Sequence, residues 1–426
     1  MRWSIGMLGI ALAAPLAAQQ REVTLGEAVR RALEVQPAVV QAQGDQRNAA
    51  AGRRSALGAF LPTITTNSSA SRGNRGRVDL STGQPIPQAP EYNYSIGLTA
   101  RLELWDGFRR FANRGAAAAN QDAAEAGYVN QRFQVTLQTK QAFYNALANE
   151  ELVRVASAQV RRAQQQLQIS IEKLRAGSAT RSDSLRSTVE FGNARIAQLQ
   201  AEANLATAQA ALGRQIGVDA SVRAIADSAF PAVPDTAGLR ALALASAPAV
   251  EQAEAQARAA RAQVWSARSL YWPSLTVAYS DNRQGYGSPF STYRNYPETF
   301  SWTFGLSWTL FNGFTREAQQ VSASAQRDLA EARALDARRQ VNAQVTQQVA
   351  ALLTAWTKID ISQANVAAAT EDLRVQEERY RVGAATILDL LTSQAALTQA
   401  QVSLVQSRFD YLIARAQVEA LVGRAL

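Results

Sequence analysis

From Phe300 to Leu310 the chain reads Phe-Ser-Trp-Thr-Phe-Gly-Leu-Ser-Trp-Thr-Leu, with a large apolar side chain at every even position and Ser, Thr or Gly between them. Alternation of period two marks a β-strand with two different faces. One face, carrying Phe300, Trp302, Phe304, Leu306, Trp308 and Leu310, demands an apolar medium along its whole length. The other, with Ser301, Thr303, Gly305, Ser307 and Thr309, is small and polar, as a water-filled lumen requires. Eleven such residues at about 3.3 Å each cover about 35 Å, enough for a tilted strand to cross a bilayer about 30 Å thick. A second stretch, Tyr92 to Leu104, repeats the code with Tyr92, Tyr94, Ile96, Leu98, Ala100, Leu102 and Leu104 on the apolar side. A sandwich strand in a soluble protein carries the same alternation, so the segments around these strands decide between the two.

After each strand the period changes. No Pro interrupts Phe108 to Ala176 or Phe314 to Val382, and about 70 helical residues at about 1.5 Å each make helices about 100 Å long. In the second, Val345, Leu352, Ile359, Val366, Leu373 and Tyr380 recur every seven residues; Val153, Val160, Leu167 and Leu174 do so in the first. A returning helix has its own series, Leu390, Leu397, Leu404, Tyr411 and Val418. Heptad spacing predicts helices packed side by side as coiled coils.

The chain is one unit written twice. Pro37 and Pro62 are echoed by Pro248 and Pro273 at an offset of 211 (248 minus 37, 273 minus 62). Leu104-Trp105-Asp106-Gly107-Phe108 is echoed by Leu310-Phe311-Asn312-Gly313-Phe314 at an offset of 206 (310 minus 104). The segments starting at Gly177 and Gly383 share that second offset. The predicted organisation is a signal peptide over 1–18, a first repeat over 19–216, a linker over 217–235 and a second repeat over 236–426. The first repeat holds strands near 60–71 and 92–104 and long helices over 107–176 and 180–214. The second holds strands near 272–281 and 299–311 and helices over 313–382 and 386–421. Asp106 and Asn312 stand where a helix N-cap belongs.

At both hairpin tips the local chemistry reads as structure. Gly177 and Gly383 suit a helix C-terminus that needs φ > 0. Thr180 with Asp183, and Thr386 with Asp389, have the spacing of capping boxes that restart the returning helix.

Composition narrows the function. The 426 residues include no Cys and no His, which removes thiolate and imidazole metal sites, Cys nucleophiles and His-based proton transfer. The net charge of +9 raises nucleic acid as a partner, but the Arg residues are scattered along helices without a dense cluster, and no nucleic acid is predicted. Arg2, the apolar run from Ile5 to Leu16 and Ala17-Ala18 form a secretory leader. No later stretch offers a spanning helix, so a membrane crossing has to use strands. Four strands do not close a barrel, which needs about eight; the chain has to associate. Two copies give eight strands and three give twelve, and the small lumen-side residues and long helices favour the wider assembly.

The duplicated half, the Leu-Trp-Asp-Gly and Leu-Phe-Asn-Gly strand exits, the two Gly-x-Ala-Thr-x-x-Asp-x-Leu turns and the closing Tyr411-Leu412-Ile413-Ala414-Arg415-Ala416 resemble the TolC-type outer-membrane efflux proteins, over essentially the whole mature chain. The resemblance implies an α+β membrane protein of four transmembrane strands per protomer. It implies a homotrimer whose twelve-stranded β-barrel crosses the outer membrane of a Gram-negative bacterium and continues as a periplasmic α-helical barrel. It also implies a passive exit duct for efflux or type I secretion, fed by a periplasmic adaptor (membrane fusion protein) and an inner-membrane transporter, with no cofactor. The turns would form the periplasmic aperture. Asp389 matches an acidic ring residue of the family, and Thr392 stands where some members have a second Asp. Asp183 and Tyr380 match positions that tie neighbouring helices in the closed mouth, whereas Ala385 replaces an Arg partner. Adaptor contact would fall on Gly177, Ser178, Ala179 and Thr180, and on Gly383, Ala384, Ala385 and Thr386. Outer-membrane lipid would meet Tyr92, Tyr94, Ile96, Leu98, Phe300, Trp302, Phe304, Leu306 and Trp308. The rival reading is a soluble periplasmic coiled-coil scaffold or adaptor, which should lack the two apolar strand faces. For an enzyme the sequence offers no convergent constellation of catalytic groups.

Overall fold

A computed structural model describes residues 21–73, 77–78, 80–86, 91–226, 230–232, 238–286 and 296–424. The leader expected over 1–18 lies outside the described residues, as does part of the linker. The chain divides into two compact units. One comprises Met1–Gln41, Val129–Ala247 and Val341–Leu426, and the other Ala42–Tyr128 and Pro248–Gln340.

The elements run in the order β1 (Arg21–Val23), α1 (Leu25–Val35), α2 (Pro37–Gly58), β2 (Thr63–Gly73), β3 (Arg77–Val78), β4 (Pro85–Ile86), β5 (Glu91–Trp105), α3 (Arg109–Arg175) and α4 (Arg181–Gln215). The second half follows with β6 (Val222–Ala224), α5 (Leu239–Ser246), α6 (Pro248–Arg268), β7 (Ser274–Tyr286), β8 (Glu298–Ser307), α7 (Thr315–Arg381) and α8 (Ile387–Val422). Both α3 and α7 are 67 residues long. Pro37 and Pro248 each open a helix, where a missing N–H costs nothing. Among the described residues no helix is long and apolar enough to cross a membrane.

The first unit is mainly helical, and part of the heptad series forms its core: Val153, Leu167 and Leu174 on α3, Val366 on α7 and Leu404 on α8 are only half-buried, whereas Val160 is buried. Val345, Leu352, Ile359, Leu373 and Tyr380 on α7, and Leu390, Leu397, Tyr411 and Val418 on α8, are all buried. Leu373, Tyr380, Ile387, Leu390 and Leu397 pack as one cluster at the α7–α8 turn; Val160, Ala163 and Ala194 do the same for α3 and α4. The linker is not featureless. Its β6 pairs in parallel with β1, matching Val23 to Ala224, and Val23 and Val222 join Phe143, Leu212 and Ile216 in a further core cluster. Short apolar alternation of three residues is too little signal to read in advance, and the pairing reaches some 200 residues back along the chain (222 minus 21).

The second unit holds a four-stranded antiparallel sheet of order β2-β5-β7-β8. The strands differ from the sequence expectation in several places, β2 running over Thr63–Gly73 where about 60–71 was expected. β7 continues to Tyr286, five residues past its expected end near 281 (286 minus 281), because Asn282, Arg283 and Gln284 find partners on β5 and β8. β8 stops at Ser307, leaving Trp308 outside the strand, with its indole Nε1 donating to the Tyr271 carbonyl at 3.1 Å. On β5 a bulge between Glu103 and Trp105 sets Trp105 opposite Leu275 and breaks the alternation at Leu104.

The strand-to-helix junctions are tighter than a simple N-cap. Gly107 and Phe108 both have φ of 67°, and Gly313 and Phe314 have 65° and 61°. For Phe such a left-handed conformation costs about 1–2 kcal/mol, and the surrounding bonds hold it in both repeats. Asp106 Oδ2 accepts from Arg110 N at 2.9 Å, and the Arg110 guanidinium donates back to the Leu104 carbonyl at 3.1 Å. Asn312 Oδ1 accepts from Arg316 N at 3.4 Å, and Arg316 donates to the Leu310 carbonyl at 3.2 Å.

Candidate functional site

The sheet separates two chemistries. Residues paired directly across strands share a face, so register sorts every side chain. One face carries the rows Ile64, Ala100, Tyr279 and Trp302; Leu102, Val277 and Phe304; and Leu275 with Leu306. The other carries Asn67, Gly97, Asn282 and Thr299, and Thr65, Thr99, Ser280 and Ser301. Hydrogen bonds knit the polar face, including Ser69 Oγ with Ser95 Oγ at 2.8 Å, Ser280 Oγ with Ser301 Oγ at 2.9 Å and Gln284 Nε2 to Asn93 Oδ1 at 3.1 Å.

On the apolar face Phe300, Trp302, Phe304 and Leu306 are 62–73% exposed in the single chain. Four adjacent large apolar side chains left open call for an apolar medium. Tyr92, Tyr94, Ile96 and Leu98 lie on the same face of β5, with the Tyr92 and Tyr94 rings stacked at 5.9 Å. Trp308 is exposed too, but from the segment after β8. Higher on the same face, three charged residues interrupt the apolar rows. Asp281 lies between Leu98 and Phe300, and Arg283 pairs with Glu298 at 2.9 Å. The pattern of residues 282–286 did not mark them as strand.

The two hairpin tips repeat one geometry. At the first, Ser178 N donates to the Lys173 carbonyl at 2.8 Å and Gly177 N to the Leu174 carbonyl at 3.0 Å. At the second, Ala384 N donates to the Arg379 carbonyl at 2.8 Å and Gly383 N to the Tyr380 carbonyl at 3.3 Å. These are Schellman closures, with φ of 74° at Gly177 and 82° at Gly383. Open space surrounds the position of a Cβ at both glycines, so dihedral preference selects Gly there, not crowding. Capping boxes restart the chain. Asp183 N donates to Thr180 Oγ1 at 3.2 Å and Thr180 N to Asp183 Oδ2 at 2.9 Å; Asp389 N donates to Thr386 Oγ1 at 3.3 Å and Thr386 N to Asp389 Oδ2 at 2.9 Å. Ser178, Thr180, Ala384 and Thr386 are exposed, while Ala179 and Ala385 are half-buried.

Asp389 is exposed, and hydrogen bonds from the Thr386 side chain and backbone hold its carboxyl below the usual carboxylate range. It is therefore a fixed negative charge at the tip. Thr392 Oγ1 is spent on the Leu388 carbonyl at 2.8 Å and adds no charge. Within one protomer Asp183 and Tyr380 are not joined. Asp183 Oδ2 is occupied by Thr180, and the buried Tyr380 hydroxyl has no hydrogen-bond partner among the described residues. Lys173 takes Tyr380 instead. Its Nζ donates to the Tyr380 carbonyl at 2.6 Å and sits 4.0 Å from the centre of the Tyr380 ring, binding the α3 end to the α7 end. Sequence reading passed over Lys173, although the 206 offset aligns it with Arg379 (379 minus 173), a basic residue at the same place in the other repeat. Among the described residues no group of acidic side chains is placed to hold a metal ion.

Comparison with known proteins gives a consistent picture. A family model described as outer membrane efflux protein matches residues 28–218 and 239–424. The pyoverdine export outer membrane protein OpmQ of Pseudomonas putida is 26% identical over 369 residues, 80% of this chain and 73% of OpmQ. The CyaE protein of Bordetella pertussis is 27% identical over 387 residues, 89% of this chain and 80% of CyaE. In fold, the outer membrane protein VceC from Vibrio cholerae superposes with a TM-score of 0.81 at 18% identity, covering 94% of this chain and 96% of VceC. With both repeats matched, the chain belongs to the outer membrane efflux protein family, channel proteins through which efflux and secretion systems discharge across the outer membrane of Gram-negative bacteria.

Proposed function

We propose that this chain works as a homotrimeric, passive exit duct whose barrel wall is completed between copies and whose periplasmic end is gated by the two hairpin tips. The observation that carries the reading is the sheet with two unlike faces and two edges, β2 and β8, that are unpaired among the described residues. Unpaired strand edges do not persist in lipid. Because every neighbour in the order β2-β5-β7-β8 is antiparallel, β8 of one copy meets β2 of the next antiparallel, so the sheet closes on itself after a whole number of copies. Three copies make twelve strands, within the range of outer-membrane barrels. The apolar face then meets outer-membrane lipid, with Tyr92, Tyr94, Ile96, Leu98, Phe300, Trp302, Phe304 and Leu306 in contact and Trp308 at the strand's end. The small polar face lines the lumen, where Ser, Thr and Asn discriminate little between solutes.

At the hairpin tips, Asp389 from each copy forms an acidic ring at the aperture, with Thr392 one turn along. Tyr380, held by Lys173, fixes the spacing of the two hairpins inside each copy, and Asp183 and Tyr380 remain available to neighbouring copies. The small residues Gly177, Ser178 and Ala179 with Thr180, and Gly383, Ala384 and Ala385 with Thr386, let a periplasmic adaptor approach the backbone and couple the duct to an inner-membrane transporter. Membrane fractionation with light scattering of the extracted protein tests this directly. An outer-membrane trimer is expected; a soluble monomer or dimer returns the chain to the scaffold reading.

A further inference from the structure

The helical unit contains a cavity of about 450 Å³, in the range of about 300–1,000 Å³ usual for small-molecule sites. Neither the strand faces nor the hairpin tips use it. Its walls come from Leu25 at the start of α1, from α3 between Lys140 and Glu151, from Ala226, Phe230 and Pro231, and from α8 between Val405 and Glu419.

The lining has two characters. Phe143, Tyr144, Leu147, Phe409 and Leu412 make an apolar wall. The charged part holds three bases, Lys140, Arg408 and Arg415, and two acids, Glu151 and Glu419. Lys140 is ion-paired with Glu419, and Arg415 reaches the same carboxylate at 3.4 Å, so one acid is shared by two bases. Glu151, the other acid of the lining, is neutralised by Arg154 at 2.8 Å. Arg408 is exposed and has no hydrogen bond or ion pair among the described residues. The cavity thus carries a net positive charge beside an apolar wall.

We propose that this cavity binds a single-chain anionic amphiphile, with its carboxylate or phosphate held by Arg408 and Arg415 and its alkyl chain laid against Phe143, Leu147, Phe409 and Leu412. Charge complementarity selects the class. A neutral apolar ligand leaves Arg408 unused, and a cation meets the unpaired Arg408 while both acids of the lining are already engaged by bases. Burying the chain gives a length dependence, about fourfold tighter binding per added methylene until the cavity is filled.

Photolabelling of the full-length protein in lipid nanodiscs tests the site by position. The probe is an undecanoate bearing an aliphatic diazirine, and labelled peptides are mapped by mass spectrometry. Labelling is expected in the peptides spanning Lys140 to Glu151 and Val405 to Ala416. Decanoate should compete with it more strongly than octanoate, by about tenfold or more for two methylenes. Arg408→Glu should cut labelling at these peptides at least tenfold while Arg408→Lys retains it. On the unaltered chain, an alkylammonium diazirine of equal length should label them at least tenfold less than the carboxylate. An alkyl phosphate competing better than decanoate assigns a phospholipid-type headgroup, and decanoate competing better assigns a fatty acid; either supports an anionic site. Label confined to the strands, label indifferent to Arg408→Glu, or equal labelling by the ammonium probe overturns the proposal.

Discussion

Asp389 carries a cap that the structure shows and the aperture charge proposed above, and the two can be separated. Its Oδ2 accepts from Thr386 N and from Thr386 Oγ1 at 2.7 Å, and these bonds depress its pKa. A depressed folded-state pKa means that the capping contribution is fully present above the unfolded value, about 3.9, and fades only as pH falls through the lower folded value. The charge at the tip follows the same course. Asp389→Asn keeps an acceptor for Thr386 N and removes the charge. Cation preference in planar bilayers should fall towards unity with little change in melting temperature; in the unaltered chain it should persist to below about pH 4. An unchanged reversal potential in a salt gradient would remove Asp389 from the aperture. Lys173→Met takes away a charged hydrogen bond and a cation–π contact, together worth about 1–3 kcal/mol, and should raise the open probability severalfold at unchanged trimer yield. Equal conductance would make the Lys173–Tyr380 contact a packing detail. The Gly, Thr and Asp of each turn were legible in the sequence because their partners lie within seven positions. Lys173 was not, because its partner is 207 residues away.

Strands were legible where both faces were pure and illegible where they were mixed. The strand was expected to end at Asp281 because Asp and Asn are poor strand formers. Cross-strand pairing overrides that preference, since Arg283 meets Glu298 and Asn282 meets Thr299 in the ladder. The cost of a charge on the membrane-facing side depends on depth, about 2–4 kcal/mol for a base at the midplane, about 0–1 near the interfaces, and less for an acid. Asp281 sits one row beyond Tyr279 and Trp302 and one before the Arg283–Glu298 pair, which places it at the edge of the apolar band. Asp281→Leu should therefore stabilise the barrel by less than about 1 kcal/mol in urea unfolding from bilayers. A gain several times larger would put this row deep in the hydrocarbon and shift the boundary of the band upward along β7. The bulge at Leu104 and the early end of β8 escaped notice for a related reason. Alternation in a sequence continues past the point where a partner strand stops supplying hydrogen bonds, and only the ladder shows where that is.

At the scale of the whole molecule, the duplication was the most legible feature, since offsets of 211 and 206 residues fix which elements correspond. The number of copies is not written in one chain, but its consequence is testable through the sheet edges. The absence of native Cys makes introduced pairs unambiguous. Neighbouring strands lie about 4.8 Å apart, and a disulfide needs Cα atoms about 4.4–6.8 Å apart. Cys placed at Ile64, Thr66 or Ser68 on β2 should therefore find Cys at Trp302, Phe304 or Leu306 on β8 of an adjacent copy in at least one register. All six positions share one face, so the correct pairs project together. Oxidised double variants should run as covalent dimers and trimers on non-reducing gels and collapse to monomers with reductant, while the single variants stay monomeric. β2 and β8 are separated by β5 and β7 within one chain, so no bond within a copy can imitate this ladder. If every combination remains monomeric in protein recovered from the outer membrane, the two edges do not meet, and the barrel would have to close by pairing like edges or by recruiting another chain.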